Sequence, residues 1–104
     1  MAQFDVYRNS NRATQKRVPY LLDVQSDLLS QFPTRIVVPL VSLKALGAPA
    51  ERLHPAFRVE GRKVVMMTAQ LAGIAKDLVR DRVTSLATRR FEIIAAIDFL
   101  ISGI

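Results

Sequence analysis

A chain of 104 residues, half of them hydrophobic and under a quarter charged, has the make-up of one folded domain and excludes a disordered polymer. With no cysteine, disulfides, thiolate metal sites and a cysteine nucleophile are excluded, and a reducing compartment suits the chain. The formal charge of +6 favours nucleic acid or an acidic partner by long-range attraction, although the eleven arginines and four lysines are also what a plain solvated surface needs.

The opening Phe4-Asp5-Val6-Tyr7 nearly alternates and predicts a short strand with one buried face. No positive head followed by an apolar run precedes it, so no secretory leader is expected and the protein is read as cytoplasmic. Residues 8–18 are polar, basic and without apolar periodicity, as in an exposed loop between strands. A second strand follows, with Tyr20, Leu22 and Val24 on one face and Leu21, Asp23 and Gln25 on the other. Ser26 to Thr34 carries turn residues around Leu28-Leu29. Arg35-Ile36-Val37-Val38 is then a β-branched run typical of a central strand, ended by Pro39 for want of an N–H.

Ser42 is placed to cap one helical turn, Leu43 to Leu46, stopped by Gly47; a loop with two prolines spans 48–55. Phe57 to Val59 and Arg62 to Thr68 read as a hairpin about a Glu60-Gly61 turn. Residues 69–83 have helical spacing, weakened by Gly73. Ala87 to Ile101 predicts a helix with Gly103 at the stop; it is apolar nearly all round and so needs cover on more than one side, from the sheet and from a second subunit or partner. Ile36, Val38, Val64, Met66 and Phe91 are the expected core. The longest apolar-rich segment, Ile93 to Ile104, is too short to span a membrane and contains Asp98.

Catalytic and metal chemistry is poorly provided for. His54 is the only histidine, and with no cysteine it cannot build a usual zinc site. A hydrolytic triad of His54 with Ser26 or Ser30 and Asp23 or Asp27 lacks any nucleophile-elbow spacing. The four glycines are too scattered for a phosphate loop. Asp23 and Asp27 could form a metal or acid–base couple, but aspartates bonded to nearby turn amides are the preferred reading. Met66-Met67 could be an adaptable binding surface; a gap-filling core pair is preferred. The basic clusters Arg8 to Arg17 and Arg80, Arg82, Arg89, Arg90 have no interleaved aromatic stacking platform, which leaves nucleic-acid binding open and weakly supported.

The string Asp23-Val24-Gln25-Ser26-Asp27-Leu28-Leu29, followed by Arg35-Ile36-Val37-Val38-Pro39-Leu40, resembles the CcdB toxin family. Gln3-Phe4-x-Val6-Tyr7, Met66-Met67-Thr68 and the ending Ile97-x-Phe99-Leu100-Ile101-Ser102-Gly103-Ile104 fall in the same order, so the resemblance covers essentially the whole chain. It implies a mainly β fold, a small SH3-like barrel or sheet of the CcdB/Kid type with a C-terminal α-helix, forming a homodimer. It also implies a non-enzymatic toxin without cofactor that binds the GyrA subunit of DNA gyrase and traps the cleavage complex. A CcdA-like antitoxin would neutralise it, and operator DNA would be bound only together with that antitoxin, with no membrane involved.

Carried over by position, the gyrase-binding residues would be Ser26, Leu28, Asp98, Ile101, Ser102, Gly103 and Ile104. The resemblance also implies strand over 69–75, then loop. The departure is the tail: the best-known members end in Trp-Gly-Ile, whereas this chain has Ser102 in place of the aromatic, an anchor typically worth a few kcal/mol. A MazF/Kid-like endoribonuclease, recruiting Arg35 with Arg80 or Arg82, and an inactive member that only binds antitoxin are the alternatives.

Overall fold

The computed structural model of the chain describes residues 2–47 and 52–103. Seven antiparallel strands and a C-terminal helix make a half-barrel of the small SH3-like kind: β1 Asp5–Arg8, β2 Tyr20–Asp23, β3 Thr34–Ser42, β4 Ala56–Val59, β5 Arg62–Met66, β6 Ala72–Ala75 and β7 Arg82–Ser85. A single helical turn, α1 Leu43–Leu46, follows β3, and α2 Arg90–Ser102 closes the chain. The sheet order is β4-β5-β3-β2-β1-β7, with β6 beside β3. Of the loop expected over 48–55, residues 48–51 lie outside the described ones.

β3 organises the sheet. On one side it pairs with β2; on the other, its first half pairs with β6 and its second half with β5. Pro39 therefore does not end the strand, contrary to the sequence expectation. It sits between the last β6 pair, Val37↔Ala72, and the first β5 pair, Leu40↔Met66. Its carbonyl accepts from the Met67 N–H at 3.0 Å, and the Met67 carbonyl, which an N–H at position 39 would meet, accepts from the Gln70 N–H at 2.9 Å instead, so the missing donor leaves no unpaired acceptor.

The alternation of β2 holds: Tyr20, Leu22 and Val24 enter the main core with Phe4, Val6, Val38, Leu40, Val64 and Met66. Ile36 is partly buried against this cluster. The one-sided reading of β1 fails, because Asp5 and Tyr7, on the opposite face from Val6, are buried too. Met66 is fully buried, as a core pair requires, with Met67 half-buried beside it.

The β4–β5 hairpin turns at Glu60-Gly61, both with positive φ (52° and 76°), the twist that a two-residue hairpin prefers. Residues 69–83 are not helical as their spacing predicts: a 3-10 turn ending at Gln70 precedes β6, a second 3-10 turn follows over Lys76–Leu78, and β7 starts at Arg82. The strand that the family resemblance implies over 69–75 is therefore shorter, and the loop implied after it contains a further strand. Ser42 occupies the position before α1 without a side-chain capping bond. A 3-10 turn over Ala87–Arg89 leads into α2, which ends at Gly103 in the left-handed conformation, its N–H bonded to the Phe99 carbonyl at 3.0 Å.

Phe91 is not core: it is 82% exposed, while Ile93 and Ala96 carry the helix onto the sheet. At about 100° per residue, Phe91 lies about 200° around the helix from Ile93, so docking Ile93 turns Phe91 to solvent. Arg89 lies over the Phe57 ring, 4.9 Å from its centroid, and fixes the start of the helix against β4.

Candidate functional site

Behind the main core, the second face of β1, β2 and β3 encloses a polar cluster. Asp23 and Arg35 are both fully buried and form an ion pair, 2.7 Å from Nη2 to Oδ2, with Nε donating to the same oxygen at 2.9 Å. Burial pushes the Asp23 carboxyl above its usual range, while Arg35 and the Gln25 N–H pull the other way. Asp5 stands next in the cluster, accepting from the Tyr7 hydroxyl and held by Arg82 at 3.2 Å. Burial, reinforced by the charges of Asp5 and Asp23, pushes the Tyr7 phenol up to about 12.

This cluster positions the segment that follows β2. Gln25 is the link: its N–H donates to Asp23 Oδ1 at 3.0 Å, and its Oε1 accepts from the Ile36 N–H at 3.0 Å. Its Nε2 donates to the Leu29 carbonyl at 2.9 Å. Leu29 ends a 3-10 turn, Asp27–Leu29, capped by Ser26, whose Oγ accepts from the Leu28 N–H at 3.2 Å. Asp27 Oδ1 accepts from the Gln3 N–H at 2.8 Å, and Lys76 Nζ donates to the Ser30 carbonyl at 2.9 Å, so the turn is tied on both sides. At its crest Leu28 stands 94% exposed. Rigid backbone thus presents an apolar side chain to water, an arrangement suited to docking.

The other candidates lie at the end of α2. Ser102 Oγ donates to the Asp98 carbonyl at 2.7 Å, Ile101 is 77% exposed, and Gly103 carries the chain out of the helix. Ile104 lies outside the described residues. Asp98, Ile101, Ser102 and Gly103 therefore form one group and Ser26 with Leu28 another; among the described residues no hydrogen bond or ion pair joins the two. Phe91 and Ile94, exposed like Ile101, extend the α2 group into an apolar stripe along the helix, the uncovered side that the sequence predicts but with Phe91 on it instead of in the core.

The aspartate pair resolves into turn chemistry. Asp23 is buried against Arg35 and Gln25, while Asp27 is exposed and bonded to Gln3, so the two share no ligand position. Arg35, the arginine that an endoribonuclease would recruit, is enclosed and occupied by Asp23. Its burial was readable in part: Asp23 pairs with Val37, which makes Arg35 the diagonal neighbour on the same face, an opposite charge within reach.

Against known families, the model described as CcdB protein matches residues 3–103, nearly the whole chain.

Proposed function

Because this chain belongs to the CcdB family and is by that membership a toxin of the toxin–antitoxin kind, we propose that its target is the GyrA subunit of DNA gyrase, bound so as to trap the cleaved-DNA complex. The contact residues in this reading are Ser26 and Leu28 with Asp98, Ile101, Ser102, Gly103 and Ile104. The observation that carries it is the exposure of Leu28 (94%) and Ile101 (77%), two large apolar side chains held on fixed backbone with no folding reason to face water. Such groups act by contact, making and breaking no bond, and a cluster of them is what anchors a protein interface.

The toxin acts as a homodimer in the cytoplasm, where gyrase works, and a CcdA-like antitoxin removes it by covering the dimer; the pair together recognises operator DNA. Among the described residues no helix is long and apolar enough to cross a membrane.

The test is a gyrase supercoiling and cleavage-complex assay on the wild type, on a chain lacking Ser102 to Ile104, and on Ser102→Trp, run beside an RNA cleavage assay. The wild type inhibits gyrase, the truncation does not, and Ser102→Trp inhibits more strongly by restoring an aromatic anchor. RNA cleavage by the wild type, or full inhibition by the truncated chain, overturns the reading.

A further inference from the structure

A groove of about 500 Å³ opens between the start of α1 and the β4–β5 hairpin, lined by Lys44, Arg58, Arg62 and Lys63 and, among the described residues, by no carboxylate. All four cations are exposed, and none takes part in an ion pair among the described residues. Glu60, the acid in the adjoining turn, is already bound: Arg8 grips it with both Nη atoms, at 3.0 and 2.7 Å, and the Tyr20 hydroxyl donates to it at 2.6 Å. Arg62 lies within the field of Glu60, but among the described residues Lys44, Arg58 and Lys63 keep their positive charge without an acidic partner.

Its rim extends the charge. The Ser42 N–H donates to the Arg17 carbonyl at 2.9 Å, which brings the exposed basic loop with Arg12, Lys16 and Arg17 against the same edge. Within the hairpin, Arg58 and Lys63 face each other directly across the two strands. Like charges so placed oppose folding, and a counter-charge from outside removes that repulsion.

We propose that this groove is a sequence-independent contact for the phosphate backbone of duplex DNA, carried by the toxin itself. Uncompensated cations on a rigid, open surface suit a chain of phosphates, whose binding is strengthened by the counterions it releases. Among the described residues no aromatic side chain lines the groove, so it offers no stacking platform and does not favour single strands. Base edges are not read, and operator selectivity is left to the antitoxin. The inference does not depend on gyrase as target, since neither gyrase nor antitoxin enters its test.

That test is fluorescence anisotropy with short labelled DNA duplexes of two unrelated sequences, titrated with the whole toxin across a range of salt. Both duplexes bind equally, and log affinity falls linearly with log salt with a slope of about −3, the value for three or four phosphates. Lys44→Glu with Lys63→Glu weakens binding about tenfold or more. Lys76→Glu with Arg90→Glu, the same change of charge away from the groove, weakens it less than about threefold. Thermal melts confirm that both double variants fold. Equal losses in the two variants, tighter binding of single strands, or tighter binding of poly-glutamate than of duplex would each overturn the proposal.

Discussion

The Arg35 guanidinium meets the Asp23 carboxylate at 2.7 Å with both side chains completely shielded from water. Removing one member of such a pair leaves an uncompensated buried charge, and Arg35 Nη1 already lacks a partner among the described residues. Arg35→Met or Asp23→Leu alone is expected to cost about 3–5 kcal/mol in urea unfolding. The two changes together should recover most of that loss, because an apolar pair needs no compensation. Equal losses for the single and double variants would place the cost in packing instead of charge.

Tyr7 supplies a pH dependence. Its phenol is raised from 10.0 to about 12 by burial and by the nearby carboxylates, so the folded chain holds that proton longer than the unfolded chain does. The associated stability is fully present below pH 10.0 and drains away as the pH rises through the folded value of about 12. Burial and Glu60 also push Tyr20 up, so ultraviolet difference absorbance should show two late tyrosine titrations, of which Tyr7→Phe removes one, and the variant's stability should fall less steeply over that window.

The hairpin turn makes a backbone prediction. Gly61 at φ 76° has no atom near enough to clash with an added Cβ, so only the left-handed conformation opposes a side chain there. Gly61→Ala is expected to cost about 1–2 kcal/mol in thermal or urea unfolding. A neutral result would mean the turn relaxes to another type.

Much of the sheet was legible: β2 and the hairpin at Glu60-Gly61 follow period-two patterning, and the continuous β-branched run Arg35–Val38 marks the central strand. Three features were hidden, each for a physical reason. Residues 69–83 have helical spacing, but pairing of β6 with β3 and of β7 with β1 outweighs a local propensity carried by one short stretch. Pro39 is tolerated because its neighbours on one side change from β6 to β5 at that residue. The basic groove adds Lys44 of α1 to Arg58, Arg62 and Lys63 of the hairpin, and although those three are close in sequence, Lys44 joins them only in the fold. At the candidate site the residues were named by family position alone, and the network from Arg35 through Gln25 that holds Leu28 in place was not legible, because it depends on strand register.

On the proposed function, helix α2 is expected to separate dimerisation from target binding. At about 100° per residue, Phe91, Ile94, Asp98 and Ile101 fall within a stripe about 80° wide, opposite Ile93 and Ala96. Ile93→Ala should cost about 2–5 kcal/mol, since its side chain is fully buried in the core. Phe91, 82% exposed in the single chain, has no such role, and a large aromatic left in water at the start of the stripe is the natural place for a two-fold seam. Asp98 interrupts the stripe, so the far end with Ile101 is less suited to meeting its own copy across that axis and better suited to a different protein. Sedimentation equilibrium at micromolar concentration should therefore find a dimer for the wild type, a monomer for Phe91→Asp and a dimer for Ile101→Asp. Gyrase inhibition should be lost in Ile101→Asp while its thermal midpoint stays within a few degrees of the wild type. A wild-type monomer would remove the seam altogether, and a dimer that survives Phe91→Asp would move it off this helix.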